Sequence, residues 1–177
     1  MNTSRPPDNV GAVNPRRWLL ALLAGLVGCT STPSARPPDQ GEVIYVYDGD
    51  TIEVRIAGKV ERVRLLGIDT PESVSRSVPV ECHGPEASAA MKELLPVGTI
   101  VRLERDVEPR DPYNRLLAYV YRVNDGLFVN ADIARRGEAI ALTIEPNHAR
   151  QAEIGAAIDE ARSARRAMWA ACPVPGS

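Results

Sequence analysis

Beyond residue 40 the chain alternates apolar and polar residues in short runs rich in Val, Ile and Tyr, the period-two pattern of half-buried strands. Three such runs come first, at residues 41–47 (GEVIYVY), 51–57 (TIEVRIA) and 59–67 (KVERVRLLG). Asp48-Gly49 and Ala57-Gly58, dipeptides that suit tight hairpins, join them. The period then lengthens: Ala87, Ala90, Met91, Leu94 and Leu95 recur at helical spacing in residues 85–95, with Pro85 in the first turn and Pro96 as a stop. Residues 99–105 and 115–123 return to the strand pattern across a turn-rich stretch, EPRDPYN, at 108–114. Asn130 is placed to cap a short helix closed by Gly137. Residues 148 to about 169 carry Ile154, Ala157, Ile158, Ala161 and Met168 on one helical face. Five short strands with a helix inserted between the third and fourth predict an α+β chain: a small five-stranded Greek-key barrel with about three helices. The oligonucleotide-binding fold is the commonest barrel of that design.

Upstream the pattern is different. Arg16 and Arg17 precede ten apolar residues, 18–27, too few to span a bilayer, which takes about 20. A charged start, a short apolar stretch and a small residue before a break read as an export signal. Leu26-Val27-Gly28-Cys29 looks like the lipobox of bacterial lipoproteins, in which the Cys becomes the lipidated first residue of the mature chain. A plain signal peptide with an incidental Cys is the alternative, and the paired arginines leave the general and twin-arginine routes both open. The expected organisation is a signal peptide at 1–28, a Pro/Ser-rich tether at 29–40, a folded domain at 41–172 and a tail at 173–177. The expected location is the cell envelope, through a lipid on Cys29 in the outer membrane, or outside the cell.

Composition narrows the class. With 177 residues, 44% hydrophobic and 25% charged, the chain is one globular domain with a segment attached, not a disordered, collagenous or disulfide-dense chain. A net charge of −2 excludes a strongly basic nucleic-acid coat protein and leaves room only for a local basic groove. Removing residues 1–28 takes away Arg5, Arg16 and Arg17 against one acid, Asp8, so the folded part is more acidic still. Cys82 and Cys172 remain beyond Cys29. In an oxidising compartment that even count argues for one disulfide.

The candidate chemistry lies in three motifs. Asp48-Gly49-Asp50-Thr51 taken alone is a hairpin turn. In Arg64-Leu65-Leu66-Gly67-Ile68-Asp69-Thr70-Pro71-Glu72, an arginine leaves an apolar strand and two carboxylates follow at a turn fixed by Pro71. Together the two motifs put Asp50, Asp69 and Glu72 at neighbouring strand ends, where they repel one another unless a hard cation or a substrate explains them. The third motif, Tyr113-Asn114-Arg115-Leu116-Leu117-Ala118-Tyr119-Val120-Tyr121, places a second arginine at the head of an apolar strand. A cation and two guanidiniums suit a phosphodiester whose non-bridging oxygens gain charge in a transition state.

With DGDT, RLLGIDTPE, GPEAS, YNRLLAYVY and ARRG in this order, the chain resembles the staphylococcal nuclease-like (thermonuclease) family over about residues 41–169. The resemblance implies an oligonucleotide-binding barrel and calcium-dependent cleavage of DNA and RNA. It implies Asp50, Asp69 and the Thr70 carbonyl as Ca2+ ligands, and Glu72 as the group that activates or orients water. Arg64 and Arg115 would bind phosphate, and Tyr113 would contact a nucleotide. Two features depart from the family pattern. Leu142 and Ile144 stand where two tyrosines grip the nucleotide, and the loop at 73–82 carries one arginine, Arg76, in place of several lysines. Substrate grip is then expected to draw on Arg102, Arg105, Arg110, Arg135 and Arg136, if some line the groove, or these merely solvate the surface. His83 is expected at a helix start and His148 at the head of the last helix, without zinc spacing; Phe128, Met168 and Trp169 are expected in the core. A monomer without an obligate protein partner is expected. The rival readings are a non-catalytic nucleic-acid-binding barrel and a structural envelope lipoprotein whose cation is only a clamp.

Overall fold

A computed structural model of the chain describes residues 36–73 and 80–172. The export segment, Cys29, most of the tether, Arg76 and the tail after residue 172 lie outside the described residues. The first three strands are β1 (Gln40–Val46), β2 (Thr51–Ile56) and β3 (Lys59–Leu65), followed by a short β4 (Gly67–Asp69). Helix α1 (Gly84–Leu94) leads to β5 (Ile100–Glu104) and β6 (Leu116–Arg122). The chain finishes with α2 (Val129–Arg136), β7 (Ile140–Leu142), α3 (Gln151–Ser163) and α4 (Met168–Ala171).

Alternation of side chains drives the barrel. Val43, Ile52, Val54, Val63, Leu65, Val101, Leu117 and Tyr119 are buried, so each strand gives one face to a common interior. The strands close in the order β1-β2-β3-β6-β5, with β5 returning to β1. Only β3 and β6 run parallel, with Arg64 opposite Leu117, and the other pairs are antiparallel. Such closure leaves no free sheet edge and gives the five-stranded oligonucleotide-binding fold. A second apolar layer, made by Met91, Leu94 and Leu95, by Val129 and Ile133, and by Ile154 and Ile158, packs the helices against the barrel. No helix among the described residues is long and apolar enough to cross a membrane.

Three elements differ from the pattern read along the sequence. The third strand ends at Leu65 because Gly67 turns with φ of +82°, and 67–69 start a separate two-stranded sheet with β7. A side chain at Gly67 would meet Ile154 of α3, so only glycine allows both the turn and the close packing. Asn130 does not cap its helix; Phe128 is the residue before α2. Asn130 is instead fully buried, accepting the Val120 N–H (2.9 Å) and donating to the Leu66 carbonyl (2.8 Å), so it bridges α2 to two barrel segments. The last helix is two. It stops at Ser163, Arg165 and Ala167 take positive φ, and α4 folds back with the Met168 N–H on the Gly137 carbonyl at 3.2 Å. Cys82 and Cys172 are disulfide-bonded, tying the end of α4 to the residues just before α1.

Candidate active site

The β1–β2 turn and the β3–β4 corner meet because the Leu65 N–H donates to the Asp50 carbonyl at 2.8 Å. Asp50 is buried there. Its Oδ2 accepts from the Thr70 backbone N–H (3.0 Å) and hydroxyl (3.3 Å), and its Oδ1 from the Thr51 hydroxyl (3.0 Å). Arg64 fills the centre, its side chain only 5% exposed. Nη1 donates to the carbonyls of Leu65 (2.8 Å) and Ile68 (2.7 Å), and Nη2 lies 2.7 Å from Asp69 Oδ1 and 3.1 Å from Asp50 Oδ2. The structure therefore makes Arg64 the clamp that holds the two carboxylates, with its planar fork spent on protein groups.

One guanidinium does not balance the acids gathered here. Burial first, then the charge on Asp50, pushes Asp48 up to about 6. Asp69 is also raised, by burial and against the pull of Arg64. Glu72 is raised by burial and by Asp50, Glu81 and Asp69. Asp48, whose Oδ1 accepts the Asp50 N–H at 3.1 Å, is the member that reading the motif as a turn passes over. The signal was present in the sequence: a second acid two residues before Asp50, at a hairpin tip that must already face the corner.

Glu72 is exposed and is positioned through its backbone. Its N–H donates to Glu81 Oε2 (3.1 Å) and its carbonyl accepts the Glu81 N–H (3.0 Å), which closes the base of the segment between them. Gly84 lies directly behind, where any side chain would strike the Glu72 carbonyl, and the Cys82–Cys172 bond fastens the same base to α4. His83 packs beside it, its Nε2 2.8 Å from Glu138 Oε2, with neither atom reaching any other polar partner. Burial raises the Glu138 carboxyl even against that imidazole.

Arg115 is not drawn into the carboxylate cluster by any hydrogen bond or ion pair among the described residues. It stands at the head of β6, the strand paired with β3, and Nε donates to Asp111 Oδ2 at 2.6 Å. Burial would lift Asp111, but bonds from Arg115 outweigh it and hold its carboxyl low. Tyr113, 82% exposed, projects from the same turn. The two line a groove of about 600 Å³ with Glu53, Val60, Glu61, Arg62 and Asn114. Arg62 was not singled out by the sequence pattern, because an arginine in an exposed strand position looks like ordinary solvation. Leu142 is partly exposed, and Ile144 packs against the core. Of the arginines expected to aid grip, Arg110 pairs with Glu61 at the groove, Arg102 stacks on Tyr121, and Arg135 and Arg136 pair with Glu160, Asp132 and Glu93. Arg105 lines a separate hollow with Pro38 and Leu103. His148 meets Glu145 at 2.9 Å, while Phe128 and Met168 are buried and Trp169 packs on the core.

As they stand, no three acidic, His or Cys side chains among the described residues converge tightly enough to coordinate an ion. The donors at the corner are nonetheless all oxygen and carry more negative charge than Arg64 offsets, which is the chemistry a hard cation meets and a soft one does not.

An oligonucleotide-binding barrel with clustered carboxylates at one corner and two arginines on the adjoining strands defines a class of protein that handles phosphodiesters. Residues 62–171 match the model of the staphylococcal nuclease homologue family, and the chain belongs to that family. It is 43% identical over 124 residues to the thermonuclease of Staphylococcus intermedius, covering 70% of this chain and 72% of that protein. It is 39% identical over 128 residues to the thermonuclease of Staphylococcus hyicus, covering 72% and 74%. An uncharacterised Bacillus anthracis protein is 40% identical over 132 residues, and the chain spans 60% of its length.

Proposed function

We propose that the protein is a nuclease that hydrolyses phosphodiester bonds of DNA and RNA with Ca2+ as its cation. The observation that carries this reading is the corner itself: Asp50 and Asp69 pair with one buried guanidinium at the end of an oligonucleotide-binding barrel, Glu72 adds its charge to theirs, and burial with the charge on Asp50 pushes the Asp48 carboxyl up to about 6. The family and the two thermonuclease relatives support it.

Asp50, Asp69 and the Thr70 carbonyl would hold the cation, whose part is to neutralise phosphate charge and lower the cost of ionising a water. Two carboxylates and a carbonyl fall short of the ~6–8 oxygens calcium takes, so water and the substrate phosphate must supply the rest, and affinity should rise with substrate. Glu72, exposed and raised above an ordinary carboxyl, accepts the proton of the attacking water. Arg115 turns from Asp111 to the phosphate, where its fork meets charge that grows in the transition state. Arg64 fixes both metal-binding carboxylates and offers the phosphate a guanidinium only as Asp50 and Asp69 turn to the cation.

Residues 1–28 direct export and Cys29 anchors the chain to the envelope; the support is the lipobox-like LVGC and the apolar run before it. Cys29→Ser should release the mature protein from the membrane fraction. For catalysis, Asp50→Asn and Asp69→Asn should lose metal-dependent cleavage, Glu72→Gln should slow it by ~10²–10⁴-fold with substrate still bound, and Arg115→Ala should lower turnover more than affinity. Wild-type rates from both Glu72→Gln and Arg115→Ala would overturn these catalytic roles, and absence of cleavage by the wild-type protein would leave the reading of a non-catalytic nucleic-acid-binding barrel.

A further inference from the structure

Glu72 is held unevenly on its two sides. Before it the chain is fixed by the barrel corner, with Asp69 paired to Ile140 and the Thr70 N–H on Asp50. After it the chain is fixed by Glu81, whose Oε2 accepts the Glu72 N–H at 3.1 Å and whose N–H donates to the Glu72 carbonyl at 3.0 Å. Glu81 is itself exposed, and two hydrogen bonds within reach of water hold a segment weakly unless something rigid stands behind them.

The next residue supplies that rigidity. Cys82 is bonded to Cys172, 90 positions further along the chain, and Cys172 closes α4. In turn α4 is seated on the core: Met168 is buried, its N–H donates to the Gly137 carbonyl at 3.2 Å, and Trp169 packs beside it. His83 takes φ of +72°, a left-handed turn that costs a residue with a side chain and persists where its surroundings impose it. Its imidazole is held 2.8 Å from Glu138, while Cys82 is held to α4. Two neighbouring residues are thus fastened to different parts of the fold, immediately behind the pair that fixes Glu72.

We propose that the Cys82–Cys172 disulfide is a positioning element for Glu72, acting through Glu81, so that the oxidised chain turns over faster than the reduced one while both bind substrate alike. The proposal rests on the nuclease reading and adds a redox dependence to it. Cys82 is exposed, so a dithiol reductant can reach its sulfur. One thiolate of the dithiol attacks Cys82 Sγ, the S–S bond breaks, and Cys172 leaves as a thiolate that takes up a proton. The second thiol of the reductant then displaces Cys82. Two electrons and two protons have passed to the protein, and the dithiol has closed into a disulfide of its own. Glu138 still holds His83 after the exchange, so the base of the segment loosens and the fold remains.

The test compares the full chain oxidised, reduced with dithiothreitol, and reoxidised after the reductant is removed. Wild type and Glu72→Gln are both assayed on one labelled oligonucleotide in calcium at room temperature. On reduction the wild-type kcat should fall by roughly 5- to 100-fold, up to the loss that a misplacement of about 1 Å causes, with KM changed less than about twofold. Reoxidation should restore kcat, and Cys82→Ser/Cys172→Ser should turn over at the reduced rate with or without dithiothreitol. Reduction should leave the residual rate of Glu72→Gln nearly unchanged, because a group already removed cannot be misplaced. Hydrogen exchange read by NMR should show the Glu72 amide losing protection on reduction, while the Leu65 amide, bonded to the Asp50 carbonyl in the barrel corner, keeps its own. Equal kcat in oxidised and reduced wild type, a change in KM alone, or an equal fall in Glu72→Gln overturns the positioning role and leaves the nuclease reading standing. Loss of Leu65 protection together with that of Glu72 marks unfolding of the whole chain and overturns it too. Absence of cleavage by the oxidised wild type overturns the nuclease reading and the positioning role with it.

Discussion

Asp48→Asn should stabilise the metal-free protein, and the gain should depend on pH. The substitution keeps an oxygen to accept the Asp50 N–H at 3.1 Å and removes one negative charge from the corner. In the folded chain burial and Asp50 raise this carboxyl from 3.8 to about 6. An acid raised on folding holds its proton more tightly in the folded state, so its contribution to stability is present at low pH and is lost as pH climbs from about 4 through about 6. At ~1.4 kcal/mol per pH unit the charge on Asp48 costs the metal-free protein roughly 2–3 kcal/mol at neutral pH. Asp48→Asn removes that cost. In chelator at pH 7.5 its Tm should exceed that of wild type by roughly 5–10 °C for a domain of this size. At pH 4 the two should melt together. Excess calcium should narrow the gap at pH 7.5, because a bound cation relieves the same repulsion in wild type. Thermal melts followed by circular dichroism at the two pH values decide the matter. No gain at pH 7.5, or an equal gain at pH 4, would refute the claim that like charges strain this corner.

Three further outcomes follow from the geometry. Arg64→Ala leaves Asp50 and Asp69 unpaired and two carbonyls without their donor, so chemical denaturation should show a loss of roughly 3–5 kcal/mol, and Arg64→Lys should recover only part of it. Gly84→Ala puts a methyl group against the Glu72 carbonyl, so kcat should fall more than KM rises while the Tm drops only modestly. The Cys82→Ser/Cys172→Ser double variant frees the ends of a stretch 90 residues apart, and denaturant unfolding should show a loss of up to roughly 4–5 kcal/mol in the chain-entropy account.

Much of the barrel was legible because its rule is local. Alternation in 41–47 and 51–57 fixes which face is buried, and the Asp-Gly and Ala-Gly dipeptides fix where the strands turn back. The long-range packing was not legible. Asn130 looks like a cap from its neighbours alone, yet the Val120 N–H and Leu66 carbonyl that claim it are brought near only by the closed barrel. The break after Ser163 lies in a run that keeps helical composition, and it forms because Met168 and Trp169 bury themselves by turning back. At the site, the motifs showed which acids gather with Arg64, because the two segments end neighbouring strands. They could not show that Arg64 is buried between Asp50 and Asp69, or that Asp48 is the acid most strongly raised. Burial and mutual repulsion depend on distances that no spacing encodes.

The central claim is that the carboxylate corner cleaves phosphodiesters through a cation. It is tested most directly by the cleavage rate of one labelled oligonucleotide by purified wild-type protein, measured in calcium, in magnesium and in excess chelator. Rapid cleavage is expected in calcium, little in magnesium, whose shorter bonds and strict octahedral shell let it bind without aligning the attacking water, and none in chelator. Equal cleavage in calcium and in chelator would contradict it.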